Sequence, residues 1–238
     1  MSLKKAGFAE RLQRARDMFS ILKGFEGYNP PRTEESLEGF QAFIETLVMA
    51  NKTVTDRNGG KRFKVSDRRD IYFDSVDSVM KMFTNIMLYI KSKYGQKSTE
   101  YAILKTIMNK MKTTKIVKSV NAESAGDQNN RKPYNRSDRS FGSLTQYFQD
   151  FITTVLKFEG YNPDVEEYRP AGLQELLVKI NKLNDEVATH KSELKTVQDE
   201  RIVLFNELRD RSNRIKFYVK FKYGSDSTEY NQIRSFRF

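Results

Sequence analysis

The chain has 238 residues with 12 Gly, 5 Pro and no Cys, which excludes disulfides, thiolate catalysis and cysteine-held metal. Charged residues make up 31% and apolar residues 38%, with 17 Phe and 12 Tyr, a mix that suits helices with one buried face and excludes a disordered chain. The net charge is +11, and no run approaches the ~18 apolar residues of a membrane span, so a soluble, cytoplasmic protein is expected.

The opening MSLKKAGFAERLQRAR is charged and amphipathic, and it lacks the apolar stretch of a secretory signal. From Phe8 the apolar residues Leu12, Ala15, Phe19 and Leu22 recur at spacings of three and four, which predicts a helix over about 8–24. The FEGYNP segment at 25–30 ends it, because Gly permits a left-handed turn and the residue before Pro avoids helix. A second helix carries Leu37, Phe40, Phe43, Ile44, Leu47 and Val48. Asp56-Arg57-Asn58-Gly59-Gly60 is read as the break after it, with Gly59-Gly60-Lys61 a turn. That tripeptide lacks both the upstream Gly and the following Ser or Thr of a phosphate loop. A third helix carries Val76, Val79, Met80, Phe83, Ile86, Met87 and Ile90, with Gly95 as its stop. Ser98 then reads as the N-cap of a fourth helix. Residues 113–140, rich in Asn, Ser, Lys and Arg, read as a polar linker.

The pattern then repeats. FEGYNP returns at 158–163, an offset of 133 that also matches Phe8 with Phe141, Leu22 with Val155, Gly39 with Gly172 and Phe43 with Leu176. YIKSKYGQKSTEY at 89–101 pairs with YVKFKYGSDSTEY at 218–230, nine of thirteen positions identical at an offset of 129. The offset falls by four, about one helical turn. The second copy has no Gly or Pro between Leu173 and Tyr223. A hairpin near Ala188–Ser192 is expected there, with one helix of about 50 residues as the alternative. The fold class is all-α: two tandem up-and-down helical-bundle repeats, over 1–112 and 141–238, each closing alone or sharing a core with the other.

Tyr28-Asn29-Pro30 and Tyr161-Asn162-Pro163, followed by a Leu-rich helix and by Tyr223-Gly224, Ser227, Tyr230 and Ile233, resemble a group of uncharacterised tandem helical-bundle proteins of Bacteroidetes bacteria. The resemblance implies a helical fold and a soluble bacterial protein, and it carries no activity. It departs at the Asn58-Gly59-Gly60 segment.

No constellation argues for catalysis, a cofactor or a metal. Glu26 and Glu159 are repeat-matched acids, and acid–base or metal chemistry would need them close together with further ligands; a helix-stop turn is the plainer reading. His190 is the single histidine and is expected on the surface. Met80, Met82, Met87, Met108 and Met111 lie at helical spacing and read as core rather than as an adaptable binding face.

Charge is the suggestive feature. Residues 1–140 hold 27 Lys and Arg against 16 Asp and Glu, whereas 141–238 hold 15 of each. Arg62, Lys64, Arg68 and Arg69 lie beside the Gly-Gly segment; Lys105, Lys110, Lys112, Lys115 and Lys118 run from the fourth helix into the linker; Arg131, Lys132, Arg136 and Arg139 follow. These thirteen are candidate contacts for an anionic partner. Lys91, Lys93, Lys216, Lys220 and Lys222, interleaved with Tyr94, Tyr218, Phe221 and Tyr223, are read instead as helix ends and core. The expected function is that of a non-catalytic structural or protein-interaction repeat protein. Sequence-nonspecific nucleic-acid binding through the first copy and linker is the alternative.

Overall fold

A computed structural model describes residues 7–112 and 140–238, together with the backbone of 115–116 and 135–136. The described chain is all-α apart from one two-residue antiparallel pairing, Lys115–Ile116 with Asn135–Arg136. Helix α1 spans Phe8–Leu22, and a short 3-10 turn, Thr33–Glu35, precedes α2, Leu37–Arg69. A wide turn of π-helix, Asp70–Asp74, leads to α3, Val79–Lys93, and α4 covers Thr99–Lys112. The second copy runs through α5, Phe141–Val155, a 3-10 turn at Glu166–Tyr168, α6, Pro170–Tyr223, and α7, Thr228–Ile233. Pro170 opens α6, where a missing N–H costs nothing. Ser98 and Ser227 cap as expected, accepting from the backbone N–H of Tyr101 and Tyr230 at 3.1 Å each.

Two boundaries differ from the expectation. Gly59-Gly60 does not break the chain, and α2 runs straight through it. A glycine ends a helix when the backbone must turn left-handed, and among the described residues the glycines with positive φ are Gly27, Gly95, Gly160 and Gly224. At Gly59 and Gly60 the glycine only weakens the helix, by about 1 kcal/mol each relative to Ala. A Cβ built at Gly59 meets nothing within 4 Å. Gly59→Ala is therefore expected to raise stability by about 0.5–1 kcal/mol, read as a higher urea midpoint at unchanged slope.

Nor is there a hairpin at Ala188–Ser192. Helix α6 is continuous over 54 residues. The four-residue difference between the copies falls elsewhere. The offset of 133 persists through Tyr72, whose counterpart is Phe205, and the offset of 129 is in place by Val79, whose counterpart is Leu208. All four of these side chains are buried. The extra residues thus lie within 73–78, where the first copy has the end of its π turn and a short loop and the second copy simply continues its helix.

The compact units do not coincide with the sequence repeats. One, the terminal unit, comprises residues 1–62 and 189–238; the other, the central unit, comprises 63–188. The expected division into 1–112 and 141–238 is replaced because α2 and α6 each begin in one unit and end in the other. The core of the terminal unit joins Leu12, Met18 and Leu22 of α1 and Phe40, Ile44 and Leu47 of α2 to Phe205, Leu208, Ile215 and Val219 of α6 and Ile233 of α7. The core of the central unit joins Phe83, Ile86 and Ile90 of α3 and Leu104 of α4 to Phe148, Phe151 and Val155 of α5 and Leu173 and Ile180 of α6. Met82, Met87 and Met111 are buried in it, and Met80 and Met108 pack against it, which accounts for the methionine spacing. Each core therefore draws its first two helices from one sequence copy and its last two from the other.

Candidate functional site

The FEGYNP turn begins as α1 stops. Gly27 takes φ 66°, a region that favours glycine, and the chain leaves in extended form toward the 3-10 turn. The Tyr28 hydroxyl donates to the Glu35 carbonyl at 2.8 Å and closes the loop. The second copy repeats this: Gly160 has φ 68°, and the Tyr161 hydroxyl donates to the Tyr168 carbonyl at 2.7 Å.

Each turn is held by the Tyr-x3-Lys-Tyr element of the opposite sequence copy. Tyr and Lys four apart on a helix share a face, so both reach the same loop. In the terminal unit the Tyr218 hydroxyl donates to the Asn29 carbonyl at 2.6 Å and accepts from the Asn29 N–H at 3.2 Å. The Tyr223 hydroxyl donates to the Glu26 carbonyl at 2.9 Å, and the Lys222 ammonium lies beside Gly27. In the central unit Tyr89 accepts from the Asn162 N–H at 3.4 Å, Tyr94 donates to the Glu159 carbonyl at 2.8 Å, and Lys93 donates to the Gly160 carbonyl. The rings pack edge to face in both, Phe25 with Tyr223 at 5.7 Å and Phe158 with Tyr94 at 5.9 Å. Glu26 and Glu159 contribute backbone carbonyls to this clasp, while the residues themselves are exposed.

Burial holds the Tyr28 and Tyr161 phenols well above the usual tyrosine range. In the unfolded chain they would ionise near pH 10. The folded state then keeps protons that the unfolded state loses, so stability is intact below about pH 10 and falls as pH rises beyond it. Urea unfolding from about pH 8 to about pH 11.5 should show this decline. Tyr161→Phe should cost about 1 kcal/mol at neutral pH and flatten the alkaline slope; an unchanged slope would count against burial as its cause.

A second contact shared by the copies was not seen in the sequence. Arg68 and Arg201 are counterparts at the offset of 133, and each guanidinium lies over the first aromatic of a helix. Arg68 is 3.9 Å from the Phe141 ring centre and Arg201 is 4.0 Å from that of Phe8. Burial lowers the pKa of both. The repeat offset was the available signal, since it maps one arginine onto the other.

The thirteen candidate anion contacts thus fall into distinct groups. Arg68 is packed against a ring. Lys64 is bound to Glu186 at 2.8 Å and lies 3.7 Å from Asp67, and Arg69 pairs with Asp74 at 3.0 Å. Arg62 is exposed on α2, and Lys105, Lys110 and Lys112 are exposed on α4. Lys115 and Arg136 are opposed in the two-residue pairing, known by their backbone alone. Lys118, Arg131, Lys132 and Arg139 lie outside the described residues, as does most of the 113–140 linker. His190 lies within α6 rather than in a hairpin, its Nδ1 3.8 Å from a Glu193 carboxylate oxygen.

Regrouping the sequence by compact unit moves the charge. The terminal unit holds 22 Lys and Arg against 15 Asp and Glu, or +7. The central unit without 113–139 holds 14 against 13, or +1. Among the described residues no three His, Asp or Glu gather as metal ligands, and no helix is long and apolar enough to cross a membrane.

One groove in the central unit is not filled by any of these contacts. It has a volume of about 310 Å³ and apolar walls of Val76, Met82, Val165 and Leu176. Asp77, Glu167 and Glu175 line it, with Lys179 as a basic neighbour. Comparison with protein families, with curated proteins and with solved structures gives no match for the chain.

Proposed function

We propose that the protein is a non-catalytic interaction protein whose shared sequence elements build its frame and whose unshared surfaces meet a protein partner. The observation that supports this reading is the fate of the repeated side chains. Tyr94, Tyr218, Tyr223 and Lys93 donate to backbone carbonyls of the FEGYNP turns, Tyr89 accepts from the Asn162 N–H, and Lys222 lies beside Gly27. These repeated side chains are spent on architecture in both units. Binding would then rest on positions where the copies differ.

Affinity purification from the native cell, with and without nuclease, tests this. A partner protein that stays bound after nuclease treatment agrees with the proposal. A partner that is released counts against it and favours nucleic acid.

That second reading has an observation of its own, the +7 of the terminal unit together with exposed Lys105, Lys110 and Lys112 on the central one. Titration with single-stranded RNA and duplex DNA at about 50 mM and about 200 mM salt decides it, because phosphate contacts weaken steeply with salt. Changing those three lysines to Gln should then reduce binding further. Absence of binding at the lower salt removes this reading.

A further inference from the structure

The groove in the central unit has a counterpart in the terminal unit, and there it is occupied. The repeat offsets map Leu176 onto Phe43, Glu167 onto Glu34, Met82 onto Arg211 and Asn85 onto Arg214. In the terminal unit the Arg211 guanidinium lies 4.1 Å from the Phe43 ring centre. It donates to the Glu34 carbonyl at 3.2 Å and to the Glu207 carboxylate at 2.9 Å. Arg214 completes the arrangement with Glu35 and Glu207, at 2.5 Å and 3.0 Å. The fold thus contains one worked example of what this position accepts: a planar cation over an apolar floor, with carbonyl and carboxylate oxygens at its edge.

The central unit has the same position without the arginine. Met82 replaces Arg211, and Asn85, in place of Arg214, donates to the Tyr168 hydroxyl at 2.7 Å. The apolar floor is kept by Leu176 and Met82. Asp77, Glu167 and Glu175 bring negative charge of their own, since the counterpart of Glu35 is Tyr168, and none of the three has an ion pair within 4.0 Å among the described residues. Val76, on the loop peculiar to the first copy, stands 83% exposed at the rim.

We propose that this groove docks an arginine side chain presented by a protein partner, with apolar neighbours of that arginine resting on Val76 and Val165. The proposal rests on the interaction reading above and names the partner's chemistry. Guanidinium suits the site better than ammonium because it is weakly hydrated and can lie flat on the Met82–Leu176 floor while its N–H groups reach oxygens at the edge. Phosphate is disfavoured by the three carboxylates.

The test uses the full chain carrying ¹³C-methyl methionine, with the Met82 methyl as reporter. The probe is an acetylated, amidated Leu-Arg-Leu tripeptide, compared with Leu-Lys-Leu and with the uncharged citrulline form. Saturable movement of the Met82 signal by the arginine peptide is expected, about tenfold weaker for lysine and absent for citrulline. Met82→Arg, followed by titration calorimetry because it lacks the reporter methyl, should seat its own guanidinium as Arg211 does and abolish binding of the arginine peptide. Should that variant fail to fold, Glu167→Gln with Glu175→Gln on the exposed rim provides the check, with affinity reduced about tenfold. An equal response to citrulline, or binding that survives the Glu167 and Glu175 changes, overturns the proposal. So does a Met82 signal that never moves. A cellular partner retained by Met82→Arg would overturn the groove while leaving the interaction reading in place.

Discussion

Residues 1–112 expressed alone are expected to show no cooperative unfolding transition, and the same holds for residues 141–238. Co-expressed, the two fragments should purify together in equal amounts and melt as one species. The reason lies in who supplies each core. In the terminal unit the first fragment holds α1 and the start of α2, but Phe205, Leu208, Ile215, Val219 and Ile233 come from the second. Losing five buried apolar side chains, each worth about 1.5–3 kcal/mol, removes on the order of 10 kcal/mol. A whole domain is stable by only about 5–15 kcal/mol. The second fragment is no better placed, because its α5 and the start of α6 lack Phe83, Ile86, Ile90 and Leu104. Circular dichroism melts of each fragment and of the pair decide the matter. A sharp transition from 1–112 alone would mean that one sequence copy can close its own core.

Gly39→Ala and Gly172→Ala are expected to be the most damaging small substitutions outside the apolar core. Both glycines open a helix against the 3-10 turn before it. A Cβ at Gly39 would lie 2.0 Å from the Thr33 carbonyl oxygen, and one at Gly172 would lie 2.8 Å from the Glu167 carbonyl oxygen. Backbone, not a flexible side-chain tip, is what must yield, so a loss of about 3 kcal/mol is expected at Gly39 and somewhat less at Gly172. The displaced turn at Gly39 also carries Glu35, which holds Arg214 and whose carbonyl accepts from Tyr28. Denaturant midpoints for the two variants, set beside that of Gly59→Ala, test the argument. All three add one methyl group to a glycine, and they should differ in sign.

The turns and caps were legible in the sequence because they depend on local chemistry. Gly27 with Pro30, Gly95 with Ser98 and Pro170 fix helix ends within a few residues, whatever lies further away. Gly59-Gly60 misled because a glycine pair marks a break only where the backbone must leave the helical region, and here it does not. The course of α6 was misread for a related reason. A hairpin was expected at Ala188–Ser192, whereas the four-residue change of offset falls between Tyr72, matched with Phe205, and Val79, matched with Leu208. The exchange of partners between copies could not be read from periodicity, since the apolar face of α6 looks the same whichever helices cover it. The clasp was half visible: Tyr-x3-Lys-Tyr and FEGYNP were both found, but nothing local says that each grips the other copy's turn. Among the charged residues, Lys64, Arg68 and Arg69 were indistinguishable in sequence from the exposed Arg62, because their partners Glu186, Phe141 and Asp74 are set by the fold.

The crossing of α2 and α6 between the two cores bears on how the copies could come to differ. A single copy has no complete core, and two separate identical chains would meet as a symmetric pair with identical grooves. In such a pair a change that plugs one groove plugs both. Carrying both copies on one chain lifts that restriction, because Met82 and Arg211 are encoded separately and each is read in only one groove. Carrying the copies on one chain thus does more than raise their local concentration: it lets one molecule hold one closed seat and one open seat.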